Sequence, residues 1–155
     1  MTAATTTGSA TATATATSGQ LATFRLDGDL YGVEVEHVQE VLKSQGLTRV
    51  PLAPAAVAGL INLRGQVVTA IELRERLGRP PRPEGTDAVV IVVRLHGEAV
   101  SLLVDSIADV VDVDAGDFEA PPDTLDGQAR ELIRGAYKLD GQLLLALDVQ
   151  KAVGA

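Results

Sequence analysis

From residue 21 onward, apolar residues gather in short runs interrupted by Gly, Asp-Gly and Pro, the punctuation of strands joined by tight turns. Residues 21–26 and 30–35 around Asp27-Gly28 predict a strand–turn–strand unit. Val35, Val38 and Val41/Leu42 then fall at helical spacing, with Glu36 and Glu40 on the other side, so this stretch reads as a short helix or a twisted edge segment. Residues 48–51 read as a brief strand stopped by Pro51. Residues 54–58 predict a helical turn, with Pro54 at its first position and Gly59 just past its end. Next come two apolar runs, 59–63 and 66–72, flanking the polar tip Arg64-Gly65: a hairpin in which Gly65 supplies the positive φ of the turn. Residues 73–77 predict one turn of helix closed by Gly78.

The second half repeats the style. Residues 79–85 carry Pro80, Pro81 and Pro83 and predict a stiff, extended connector. Residues 88–95 form a nearly continuous β-branched run, the composition of a strand buried on both faces. His96-Gly97 turns it into 98–104, and 105–113 supplies a further short segment and strand. Pro121-Pro122 and a polar loop to Arg130 lead to strands 132–139 and 143–147 around Asp140-Gly141. Asp148 is the expected N-cap of a last short helix. Residues 1–19, mostly Thr and Ala, hold too little apolar volume to offset ordering entropy and predict a disordered tail.

The chain also contains an internal repeat. Laying residues 24–42 on 93–111 matches Arg25/Arg94, Leu26/Leu95, Gly28/Gly97, Val35/Val104 and Val41/Val110. Laying 59–74 on 135–150 matches Gly59/Gly135, Leu63/Leu139, Gly65/Gly141, Gln66/Gln142 and Ala70/Ala146. Two copies of one short-strand unit predict two similar small β-barrels related by a pseudo-twofold. The copies differ at one tip: Arg64 falls on Asp140, while Glu40 and its mate Asp109 both stay acidic. What both copies share serves the fold, so Arg64, present in only one, is the candidate for function.

Composition narrows the chemistry. Hydrophobic residues make up 46% of the chain but aromatic ones only 3%, so the core is aliphatic. The formal net charge of −8, with 13 Lys and Arg among 21 carboxylates, leaves no basic footprint for nucleic acid or anionic lipid. Cysteine is absent, which excludes disulfides and thiol chemistry. No apolar run approaches a membrane span and no signal peptide is evident, so a cytoplasmic protein without direct membrane insertion is expected. His37 and His96 lack partners at metal spacing, and no Gly-x-Ser-x-Gly elbow or phosphate loop occurs. No cofactor or metal is expected, and a binding module is favoured over an enzyme. Val38 and Glu40 on one element, with Arg64 on another, are candidates for an apolar contact ringed by an ion pair. The plainer alternative is a core valine beside a solvated surface pair.

Residues 31–35, Val38-Gln39-Glu40-Val41, Thr48-Arg49-Val50-Pro51 and above all Gly59-Leu60-Ile61-Asn62-Leu63-Arg64-Gly65 resemble the CheW adaptor family of bacterial chemotaxis arrays. So do Leu103-Val104-Asp105, Pro121-Pro122 and Ile133-Arg134-Gly135, and the resemblance spans residues 21–153. It implies a mainly β fold of two SH3-like five-stranded barrels on a shared apolar core, with no catalysis and no cofactor. It also implies a first barrel over residues 20–79, with the helix 148–154 packing back on it, and a second over 86–147. The implied partners are the regulatory domain of a CheA-type histidine kinase and the cytoplasmic tip of a methyl-accepting chemoreceptor, in arrays at the membrane. Val38, Glu40 and Arg64 would lie at the receptor groove, and Asn62 and Gly65 would hold the hairpin that presents Arg64. Where the family's second hairpin strand has a proline and then an aspartate, this chain has Thr69 and Glu72. The same scaffold in pilus or gliding motility, and a small-molecule-binding or enzymatic β-barrel, are the alternatives.

Overall fold

The structure is a computed structural model that describes residues 19–43, 47–54, 56–83, 87–125 and 127–153. The Thr/Ala tail expected over 1–19 lies outside these residues except for Gly19, which opens the first strand. The strands are β1 (Gly19–Leu26), β2 (Asp29–Glu34), β3 (Val38–Lys43), β4 (Leu47–Thr48), β5 (Val57–Leu63) and β6 (Gln66–Glu72) in the first half. The second half has β7 (Val89–Leu95), β8 (Glu98–Val104), β9 (Ser106–Val113), β10 (Phe118–Glu119), β11 (Ile133–Leu139) and β12 (Gln142–Leu147). Three short helices complete the fold: α1 (Leu73–Arg76), α2 (Gly127–Leu132) and α3 (Val149–Val153).

Each sheet is built from both halves of the chain. One has the order β10-β11-β12-β2-β1-β9 and the other β3-β7-β8-β6-β5-β4. β2 runs parallel to β12, and β6 runs parallel to β8, each joining one half to the other. A division into barrels at the proline connector therefore does not match the pairing: β1 and β2 belong with the late strands, and β7 and β8 with the early ones. Sequence periodicity sets strand type but not partner, and here the parallel pairs override proximity along the chain. The architecture is mainly β, two SH3-like barrels, each carrying a two-residue strand (β4 or β10) at one edge.

Alternation along the strands builds three clusters. In β7, Val90 and Val92 point into one barrel with Ile61, Leu63, Val68, Ala70 and Leu103. Ile91 and Val93 point the other way, into a central cluster that takes residues from both sheets and all three helices. In β12, Leu144 and Ala146 fill the other barrel beside Leu21 and Tyr137, while Leu145 and Leu147 join the central cluster. The β-branched run thus is a strand buried on both faces, because period-2 alternation sends successive valines to two different cores.

Three local readings change. The stretch 35–42 is not a helix: a 3₁₀ turn at Val35–His37 leads into β3, an edge strand, so the twisted-edge alternative holds. The helical turn expected at 54–58 is a tight turn closed by Val57 N–H donating to Pro54 C=O at 2.9 Å, with Val57 already in β5 and Ala55 outside the described residues. Gly59 is then no helix stop but a point of close approach: a Cβ there would overlap the Thr48 carbonyl of β4. The polar loop before Arg130 contains α2, too short to announce itself by periodicity; Ala129 and Leu132 hold it by packing into the central cluster. Asp148 is the N-cap of α3 as expected, accepting from Lys151 N–H at 3.2 Å.

Candidate functional site

Arg64 and Gly65 form the two-residue turn between β5 and β6 with φ of 52° and 86°. Positive φ at both positions is the type I′ geometry that matches strand twist. Gly65 adopts it freely, and Gly65 N–H donates to Asn62 Oδ1 at 2.9 Å, so Asn62 and Gly65 do hold this turn. Arg64 sits in the left-handed region where Asn, Asp or Gly is the usual occupant. The guanidinium reaches across to β3: Nη1 and Nη2 donate to Glu40 Oε2 and Oε1, each at 2.6 Å. This fork-on-fork pair keeps Arg64 75% exposed while Glu40 is 18% exposed. The Arg64 hydrogen bonds hold the Glu40 carboxyl below its usual range, and Glu40 in return raises Arg64, so both stay charged.

β3 is shaped for this meeting. Val38 pairs with Val93 and Glu40 with Val92, so Gln39 is an extra residue, a β-bulge that re-aims the side chains around it. Gln39 Oε1 accepts from Arg94 Nε at 2.8 Å, which fixes the bulge. Val38 is half-buried and packs on the central cluster, so the core reading of this valine is partly right. The repeat carries the same bulge in β9, where Phe24 pairs with Ile107 and Ala22 with Val110. At the equivalent tip Asp140 stands in place of Arg64, and two carboxylates, Asp109 and Asp140, cannot make the pair.

The same two strands, β3 and β6, carry two exposed apolar residues that the sequence reading did not single out. Val67 pairs with Asn62 across the hairpin and is 62% exposed; Val41 follows Glu40 and is 44% exposed. The signal for Val67 is present in the sequence. A two-residue turn at Arg64-Gly65 places residue 67 opposite 62, and with Ile61 and Leu63 facing in, both must face out. The fork thus joins an edge strand to a hairpin tip, and each of these two elements also carries an exposed valine.

Elsewhere, Glu72 caps α1 by accepting from Arg74 N–H at 3.3 Å and pairs with Arg82 at 2.6 Å, a use for a glutamate at this point of the hairpin strand. Thr69 lies between Leu60 of β5 and Val100 of β8, with ladder neighbours on both sides. His37 does gain acidic neighbours: among the described residues one donor atom each of Glu34, Glu36 and His37 lie within 4.8 Å of one another. These are exposed or half-exposed groups at the β2–β3 crossover, and nothing else there points to an ion. No helix among the described residues is long and apolar enough to cross a membrane.

Comparison with known proteins gives one consistent answer. A family model described as a CheW-like domain matches residues 20–155. The chemotaxis protein CheW of Treponema pallidum (strain Nichols) is 32% identical over 85% of this chain and 80% of its own length. The chemotaxis protein CheW of Bacillus subtilis (strain 168) is 30% identical, with 85% of each chain covered. Among solved structures, the scaffolding protein TtCheW from Thermoanaerobacter tengcongensis superposes with a TM-score of 0.75 at 29% identity, over 85% of this chain and 90% of that one.

Proposed function

The chain belongs to the CheW-like domain family, and on that premise we propose that it is a non-enzymatic adaptor coupling chemoreceptor tips to a CheA-type histidine kinase. It works in the cytoplasm, recruited to receptor arrays at the membrane through its partners. The receptor's helical hairpin lies against β3 and the β5–β6 tip, with Val38 giving apolar contact and the Glu40–Arg64 fork fixing register. The observation that carries this reading is the broken symmetry: the fold repeats twice, yet the exposed bidentate pair exists in only one copy. An ion pair this exposed adds little to stability, so a fork held in left-handed backbone at a tip is better explained by what it presents to a partner.

The test is a pull-down with a receptor cytoplasmic tip and a CheA-type regulatory domain, using wild type and Arg64→Glu side by side. Wild type should retain both. Arg64→Glu places a carboxylate against Glu40 and should lose the receptor at least tenfold, keep the kinase domain, and melt within about 2 °C of wild type. Wild type binding neither partner would sink the adaptor reading.

A further inference from the structure

The fork of Arg64 and Glu40 is the outer end of a longer chain of polar contacts. Arg94, near the end of β7, donates from Nη1 to the Gly97 carbonyl at 2.9 Å, closing the β7–β8 turn. Its Nε donates to Gln39 Oε1 at 2.8 Å. The Gln39 side chain in turn hydrogen-bonds to the Glu40 carboxylate: Arg64 does most to hold that carboxyl below its usual range, and the Gln39 bond adds to it. In an unbroken strand successive side chains take opposite faces, so Gln39 could not serve Glu40 in a regular β3. The bulge removes that bar, because Val38 pairs with Val93 and Glu40 with Val92, leaving Gln39 without a ladder partner between them. Arg94 lies two residues past Val92 on the same face of β7, which sets it beside the bulge.

The repeat supplies an internal control. Arg25, the mate of Arg94, also donates to the carbonyl of its turn glycine, Gly28, at 3.5 Å. The mate of Gln39 is Ala108, whose side chain offers no acceptor, and Arg25 Nη2 turns instead to Gln142 Oε1 at 3.2 Å. Turn closure is thus common to both copies. Among the described residues, the link from that arginine through the bulge to a carboxylate exists only where the fork does.

We propose that Gln39 and Arg94 are positioning residues of the receptor-docking site, acting through Glu40 to fix the direction in which Arg64 is presented; this step rests on the adaptor reading. Arg64 is 75% exposed, so the Glu40 carboxylate is what orients its guanidinium. Arg64 occupies one site on each carboxylate oxygen, and a further donor from Gln39 limits rotation of the carboxylate plane. Arg94 ties Gln39 to a closed turn, so that the support for the fork is itself held.

The experiment measures binding of a purified receptor cytoplasmic tip to wild type, Gln39→Met, Arg94→Met and Arg25→Met, with thermal melts and an NMR titration of the Glu40 carboxyl. Gln39→Met preserves length and charge and removes both polar contacts. It should melt within about 2 °C of wild type, raise the titration midpoint of Glu40, and weaken the receptor tip about fivefold or more. Arg94→Met should weaken the tip as well. Arg25→Met makes the same change of charge and loses the matching turn contact in the other copy, and should bind the tip like wild type. Wild-type affinity in Gln39→Met, a Glu40 midpoint that does not move, or an equal loss in Arg25→Met would overturn the positioning role while leaving the adaptor reading intact. Wild type that does not bind the tip removes both.

Discussion

At the scale of single residues, burial and charge act in two different ways in this protein. Arg64–Glu40 is an exposed pair that presents a shape; Asp105 is a half-buried node that holds the fold. Asp105 Oδ1 and Oδ2 accept from Arg74 Nε at 2.9 Å and Nη2 at 2.6 Å, and Oδ1 accepts from Arg82 Nη2 at 3.1 Å. The Asp27 N–H donates to Oδ2 at 2.8 Å. Burial pushes this carboxyl up, but the hydrogen bonds from Arg74 and Asp27 and the charges of Arg74 and Arg82 outweigh it and hold it at about 2. A carboxyl depressed in the folded state contributes stability above its unfolded pKa, and that stability is lost as pH falls from about 4 towards 2. Asp105→Asn should therefore cost about 2 kcal/mol at pH 7 and progressively less below pH 4. Melting wild type and the variant across pH 2.5–7 checks this: the gap in Tm narrows on acidification, and a constant gap refutes it.

At the scale of elements, two glycines do the same job in the two copies. Gly59 in β5 and Gly135 in β11 each mark a register shift with the neighbouring hairpin strand, between Val57 and Gly59 and between Ile133 and Gly135. Each also lies under a two-residue edge strand: a Cβ at Gly59 would overlap the Thr48 carbonyl, and one at Gly135 the Phe118 ring and the Glu119 carbonyl. A backbone carbonyl is among the obstacles in both cases, and it cannot rotate away as a side chain can. Gly59→Ala and Gly135→Ala should each cost about 2–3 kcal/mol, and a Tm loss of roughly 4–12 °C. Thermal melts of the pair decide it, and an alanine tolerated at either position would show that the edge strand can lift away. Arg74 shows how the connector is fastened: its Nη1 donates to Pro80 C=O at 2.8 Å while the same guanidinium grips Asp105. A proline-rich segment that looks like a spacer in sequence is thus tied to the junction where β8 of one sheet passes into β9 of the other.

At the scale of the whole molecule, the exchange of strands makes the two barrels one cooperative unit. The central cluster draws on Phe24 and Tyr31 from the first half and on Leu145 and Leu147 from the second. Cutting the chain in the proline connector leaves β2 without β12 and β6 without β8. Neither fragment should show a cooperative melt alone, whereas an equimolar mixture should regain β-sheet circular dichroism and a single transition. A fragment that folds by itself would mean that sheet pairing across the halves is dispensable.

What the sequence determined by itself was local and periodic. Alternation placed nearly all the strands, turn chemistry placed the hairpin tips, and the repeat with its single Arg64/Asp140 difference pointed at the fork before any geometry was known. Even the outward face of Val67 was implied by the register of a two-residue turn. Tertiary structure alone decided which strands pair, because parallel partners such as β6 and β8 come from distant segments and leave no mark in either one's periodicity. It also decided that residues 38–43 extend, since a strand with a bulge beside β7 overrode helical spacing, and that α2 exists at all, since packing of Ala129 and Leu132 supplies what six residues of propensity cannot.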